Sequence, residues 1–260
     1  MDKAIESIYE HLEKSAGELE DFNKVISDIF GYKLVVDEEK ISELEKEAEN
    51  FLEMIKNKEL PEDLSDDFLN PYSFNWYTYG YREEAIRHMG FALITKRFAR
   101  NLANYINGEK CLEIMAGKGT LSKALLDEGV DIKVTDNFSW KHRLNMDDTW
   151  TQVENIDCLD AIRKYGKDVS YIICSWIPYE DSIGYEALKL MNEVNPNCKM
   201  IVIGEGKGGC TADDKFFDHC DYVDLGKDGY SCEAPIEGFK SWDGIHDYVS
   251  IIKYREEGII

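Results

Sequence analysis

The chain has 260 residues, long enough to bury a full core and suited to one domain with an appendage. Its formal net charge of −22 argues against bulk nucleic-acid binding through phosphates, which takes clustered Lys and Arg. No apolar run approaches the roughly 20 residues of a membrane span, and the first residues show no basic stretch leading into an apolar one. A cytoplasmic protein with no membrane association is therefore expected. Seven cysteines form no CxxC pair, and several sit in apolar strand-like runs, as small buried residues of a reducing compartment do. Cys210, His219, Cys220 and Cys232 match no standard zinc spacing, so no metal is expected.

In chain order, residues 1–60 follow a helical period, with Ile5, Ile8, Tyr9 and Leu12, then Ile41, Leu44, Ala48, Phe51, Leu52 and Ile55. A break is expected at 31–36, and the acidic stretch 61–67, opened by Pro61, reads as a connector. Residues 1–70 hold 21 acids against 8 bases. Between Arg82 and Arg100 the balance reverses, with Arg82, Arg87, Lys96, Arg97 and Arg100 against Glu83 and Glu84. Such a stripe meets either an anionic substrate or the acidic amino-terminal segment, and the second is simpler. Residues 70–81 carry six aromatic residues in twelve, a composition that suits a pocket wall or lid. One amphipathic helix is then expected over 82–107, with Ile86, Met89, Phe91, Leu93, Ile94, Phe98 and Leu102 inward. The organisation expected is a helical extension (1–69), an aromatic connector or lid (70–81) and a cofactor-binding domain (82–260).

Residues 110–136 are the most informative. A short apolar strand (111–115) leads into a glycine turn with Gly117 and Gly119, then a helix (120–128) stopped by Gly129. A second strand (131–135) ends on Asp136. This is a βαβ unit with carboxylates at the carboxyl ends of both strands, where open α/β sheets bind ligands. Glycine lets backbone approach a ligand without a Cβ between them. An acid ending the second strand can accept both hydroxyls of a ribose.

Glu113-x-x-x-Gly117-x-Gly119 resembles motif I of the class I S-adenosylmethionine-dependent methyltransferases, with Met115 where that family usually has a further glycine. The nicotinamide fingerprint fits less well, because Ser122 stands at its last position and it makes no use of Glu113. The resemblance covers about residues 82–254. It implies an α/β, doubly wound, mostly parallel seven-stranded Rossmann-like sheet carrying an amino-terminal helical extension. It implies S-adenosylmethionine as cofactor, with Glu113, Ala116, Gly117 and Gly119 at its methionine part and Asp136, with Asn137, at the ribose. Asp157 with Cys158 would meet the adenine, Asp160 with Ala161 being a rival placement.

Later elements continue the alternation, with strands expected at 153–156, 169–175, 199–204, 222–225 and 248–254 and helices at 157–165 and 182–192. Thr211 is expected to open another helix, with Asp214 three residues on. Ser175-Trp176-Ile177-Pro178-Tyr179 lies where the amino-methyltransferase motif (Asn/Asp/Ser)-Pro-Pro-(Tyr/Phe/Trp) follows strand four. It keeps the Pro-Tyr pair but has Trp176 at the first position and Ser175 one place early. By that comparison Ser175 and Trp176 line the cofactor site and Tyr179 stacks on a planar acceptor. Glu180 is a candidate base or helix cap, and Glu205, ending strand five, a candidate for binding an amine. The glycine-rich 204–209 lacks the full P-loop pattern, because Gly208 follows Lys207. The expected function is methyl transfer to a small, amine or aromatic acceptor. The alternatives are an amino-group methyltransferase acting on RNA, DNA or protein, and a non-catalytic cofactor-binding scaffold.

Overall fold

A computed structural model describes residues 38–69, 75–140, 148–226, 232–242 and 244–256. The chain divides into compact units of residues 1–47 and 48–260. The expected helices before residue 38 and the break at 31–36 lie outside the described residues, as does the first part of the aromatic segment, 70–74. In the larger unit a seven-stranded sheet has the order β3-β2-β1-β4-β5-β7-β6. Its strands are β1 (Cys111–Glu113), β2 (Ile132–Asp136), β3 (Glu154–Asn155), β4 (Tyr171–Ser175), β5 (Lys199–Glu205), β6 (Cys220–Val223) and β7 (Asp247–Tyr254). The first five run parallel, and β7 is antiparallel to both β5 and β6. β4 is buried at Ile172, Ile173 and Cys174, as a central parallel strand covered on both faces must be.

The helices are α1 (Glu38–Lys56), α2 (Asp66–Leu69), α3 (Asn75–Met89), α4 (Lys96–Ile106), α5 (Thr120–Asp127), α6 (Cys158–Tyr165), α7 (Ile183–Val194) and α8 (Asp214–Asp218). One side of the sheet packs Leu112, Ile172, Cys174, Met200 and Val202 against Ala161 and Ile162 of α6, Leu188 and Met191 of α7 and Phe216 of α8. Five cysteines are buried, and burial pushes the thiols of Cys111, Cys158 and Cys198 up to about 12. These are packing residues. Gly129, with φ 84, follows the end of α5, where the Gly129 and Val130 amides donate to Leu126 and Leu125.

Two expected elements differ. The single helix over 82–107 is two helices, interrupted at residues 90–95. Gly90 leaves α3 at φ 98, and Thr95 restarts the chain as the cap of α4, its Oγ1 accepting from the Phe98 amide at 3.2 Å. Secondly, α8 starts at Asp214 and its cap is Asp213, which accepts from the Phe216 amide at 2.8 Å. Thr211 is not that cap, because its hydroxyl donates to the Glu205 carbonyl at 2.6 Å.

Much of the basic stripe is paired within the chain, at its surface. Pro61 and Glu62 carbonyls accept from the Lys96 and Arg97 amides that open α4. Around them Arg97 pairs with Asp63 at 2.9 Å, Arg100 pairs with Glu62, and Lys240 pairs with Asp66 at 2.9 Å. The acidic connector is thus the partner of Arg97 and Arg100, while Arg87 pairs with Glu84 at 3.2 Å.

Because Thr95 alone supplies a side-chain cap at the restart, Thr95→Ala should cost about 1 kcal/mol of stability in urea unfolding. A cost near zero would show that the Pro61 and Glu62 carbonyls suffice to start α4.

Candidate active site

The expected cradle residues meet at the carboxyl ends of β1, β2 and β4, around a cavity of about 510 Å³. Glu113, Ala116, Gly117, Asp136, Asn137, Asp157, Cys158, Ser175, Trp176 and Tyr179 all line it. The glycine turn follows β1 directly. Met115, at the place of the missing glycine, is held at φ 53, a left-handed conformation that costs a side-chain-bearing residue about 1–2 kcal/mol. Gly117 (φ 55) would direct a Cβ into open space, so no side chain crowds its face of the cavity. Gly119 (φ 70) does not line the cavity. Its missing Cβ would lie 3.1 Å from the methyls of Thr151 and Val153, so its smallness serves packing beneath the turn.

The acids hold the turns that carry them. Asp136 accepts from the Gly117 amide at 2.8 Å and the Phe138 amide at 2.6 Å, tying the end of β2 to the glycine turn. Burial raises its pKa, and those two amides pull it back. Glu113 is 1 % exposed and accepts from the Ser122 hydroxyl. Desolvation pushes it up to about 7, because the charged form loses water that one hydroxyl and one amide replace poorly. Asp157 caps α6 by accepting from the Leu159 amide at 2.9 Å, while Asp160 pairs with Arg163 on the surface at 2.8 Å. Of the two rival placements, Asp157 with Cys158 is therefore the one at the cavity. Asn137 accepts from the Ser139 amide at 3.0 Å.

The second half of the cavity is aromatic. Phe91 stacks on Trp176 with centroids 5.4 Å apart and meets Trp140 edge-on at 6.5 Å. Trp176 sits at φ 55 and gives its indole N–H to Asp247 at 3.1 Å. The Arg82 guanidinium lies 5.9 Å from the Trp176 ring, and Arg82 Nε and Asp247 Oδ1 are buried without hydrogen-bond partners. Met89, Asp181, Ile183 and Cys210 are among the other residues that line the cavity.

Besides Gly119, two expected site residues lie outside the lining. Glu205 is outside the lining, because its oxygens accept from the Cys210 amide at 2.7 Å and the His246 amide at 3.1 Å. Burial raises the Glu205 pKa, but those amides outweigh it and hold the carboxyl below its ordinary value. It clamps the glycine-rich loop. Glu180 is exposed beside Tyr179, outside the lining, with its amide given to the Ala212 carbonyl at 3.0 Å. Phe91 and Trp140 were not expected at the site. Gly90 and Thr95 were the only sign that the chain leaves the helix to bring Phe91 in. Trp140 carries no local signal.

The sheet order with its antiparallel β7, and a ligand cavity where β1 and β4 diverge, decide the architecture. The chain has a doubly wound, mostly parallel seven-stranded Rossmann-like fold. No family model matches the sequence, and no curated protein does. Solved structures that resemble it include a TehB-like SAM-dependent methyltransferase from Corynebacterium glutamicum, at 14 % identity over 69 % of this chain and 97 % of that one, TM-score 0.39. Magnesium protoporphyrin IX methyltransferase from Synechocystis, crystallised with SAM, gives 10 % identity over 68 % and 83 %, TM-score 0.38. A Burkholderia thailandensis 1,6-didemethyltoxoflavin-N1-methyltransferase with bound S-adenosylhomocysteine gives 13 % over 62 % and 78 %, TM-score 0.39. Resemblance at this level assigns no activity.

Glu113 makes stability depend on pH. Folded, it keeps its proton up to about pH 7, whereas the unfolded chain releases it near 4.5. The folded state binds more protons in that window, so this contribution falls as pH rises through it and is level above. Relative to the wild type, Glu113→Gln should gain stability from pH 4.5 to 7, by at most roughly 3 kcal/mol. Thermal melts of both proteins across the window check this, and a constant difference would place Glu113 at an ordinary pKa.

Proposed function

We propose that the protein transfers the methyl group of S-adenosylmethionine to a small-molecule acceptor. The observation that carries this reading is the continuity of one cavity. A cradle of Glu113, Gly117, Asp136 and Asp157 opens directly into an aromatic chamber of Phe91, Trp140, Trp176 and Tyr179. The residues fit the cofactor, because the Gly117 face is clear and Asp136, though bonded to two amides, keeps lone pairs for ribose hydroxyls. Asp157 and Cys158 suit the adenine edge, and Glu113 the cationic methionine end.

When bound, the cofactor supplies a methyl group already activated by a sulfonium. The chain's own work is then to hold the acceptor in line and keep water from the reacting atoms. Met115, Ser175 and Trp176 frame the passage between the two halves, and the stacked Phe91–Trp176 pair makes a rigid apolar wall. An acceptor that must lose a proton releases it toward the mouth, where Asp181 and Glu180 are exposed.

The amino-group clamp of macromolecular methyltransferases receives less support. Its side-chain oxygen has no counterpart at Trp176, whose only polar group is bonded to Asp247. Arg97 and Arg100, which a nucleic acid would need, are paired with Asp63 and Glu62. A non-catalytic scaffold would not require a clear Gly117 face beside an aromatic chamber.

Calorimetric titration with S-adenosylmethionine, S-adenosylhomocysteine and NADH tests the assignment. Low-micromolar binding of the first two, about −7 to −8 kcal/mol, is expected. Binding of NADH alone would overturn it. Asp136→Ala should weaken S-adenosylhomocysteine by about 1.5–3 kcal/mol and also lower the melting temperature, since the Gly117 and Phe138 amides lose their acceptor. Lost stability with unchanged affinity would remove Asp136 from the ribose site.

A further inference from the structure

We propose that the aromatic half of the cavity is a subsite for an alkylammonium group, so that the acceptor carries a positively charged nitrogen. The first support is exposure. Four large apolar side chains are exposed among the described residues, Leu126, Trp140, Tyr179 and Leu225. Two of these, Trp140 at 37 % and Tyr179 at 55 %, line this cavity. Large rings left in water beside a pocket point to a ligand that covers them.

The second support is electrostatic. Indole, phenol and phenyl faces carry negative potential and attract cations. Arg82, outside the lining, already places its guanidinium on Trp176 in this way. Among the described residues the lining carries the carboxyls of Asp136, Asp157 and Asp181, with Glu113 holding its proton up to about pH 7, against Lys118, whose ammonium donates to the Arg87 carbonyl at the end of α3. At the mouth, Asp181 keeps one oxygen beyond the bond from the Ile183 amide, and Glu180 stands beside the Tyr179 phenol. An anionic acceptor would shed water here, and among the described residues of the lining the one base, Lys118, has its ammonium on the Arg87 carbonyl. A neutral planar acceptor would use the rings but gain nothing from the acids.

This rests on the methyltransferase reading only for which half the cofactor takes. The probes are choline and its neutral isostere, in which a tert-butyl group replaces the trimethylammonium. Both are titrated by indole fluorescence with S-adenosylhomocysteine present, or without it if that ligand does not bind. Choline should bind about tenfold tighter than the isostere, the range of a partly desolvated cation on aromatic faces. Tyr179→Ala, Trp140→Leu and Asp181→Asn should each weaken choline by roughly threefold to tenfold, and Tyr179→Phe should retain it. Affinity for S-adenosylhomocysteine should stay constant in these variants, which also shows that they fold. Equal binding of the two probes, no saturable choline binding, or unchanged choline affinity in all three variants would overturn the subsite. Absent cofactor binding with the choline preference intact would instead sink the methyltransferase reading and leave the subsite standing.

Discussion

The site depends on how α3 ends. A helix leaves its last carbonyls without partners, and here three are satisfied by side chains from the glycine turn and its neighbour. Lys118 donates to Arg87 at 3.1 Å, Trp150 to His88 at 2.7 Å and Thr120 to Met89 at 2.7 Å. A lysine is also the favourable charge at the negative end of the helix dipole. Because Lys118 is 2 % exposed, burial pulls its pKa down, and the carbonyl replaces part of the lost hydration. The consequence is geometric. With the end of α3 pinned over the glycine turn, Gly90 must turn the chain there, and Phe91 is delivered onto Trp176. One turn therefore serves two halves: Gly117 clears space for a ligand, while Lys118 and Thr120 fix the opposite wall.

Strain gathers at the same place. Met115 after β1, Phe138 after β2 and Trp176 after β4 all have positive φ, although none is glycine. Each is over-determined by its surroundings. The Ala116 amide donates to Thr135, the Phe138 amide to Asp136 and the Trp176 amide to Ile203 at 2.7 Å. Left-handed residues persist only where neighbours compensate them, and they turn the chain sharply at each strand exit. Those sharp exits let three adjacent strands open onto one cavity.

The acids show how a strongly negative chain keeps its shape. Most carboxylates at the cavity accept backbone amides, so their charge is partly neutralised by dipoles that the turns would otherwise leave unpaired. Outside, the Arg97, Arg100 and Lys240 side chains are met by the connector's acids, which attaches residues 61–66 to the start of α4. Exposed pairs of this kind contribute little individually, and their value here lies in orientation.

The βαβ unit was legible because its information is local: a strand period, two glycines, a helix stop at Gly129 and an acid after the second strand. The same holds for β4, whose unbroken apolar run requires cover on both faces. The split between α3 and α4 was not legible from periodicity, since Met89, Phe91, Leu93 and Ile94 stay apolar through the break. They are apolar for two different reasons, a helix face on one side of Gly90 and a cavity wall and core on the other. Glu205 looked like a pocket acid from its place at a strand end, but the Cys210 and His246 amides take its two oxygens. The chain's own sequence determined the glycine turn and the acids around it, because those residues are neighbours along the backbone. The aromatic half, with Phe91, Trp140, Trp176 and Asp247 spread over more than 150 residues, was decided only by the tertiary structure, because side chains that far apart meet only when the sheet order brings their loops to one edge.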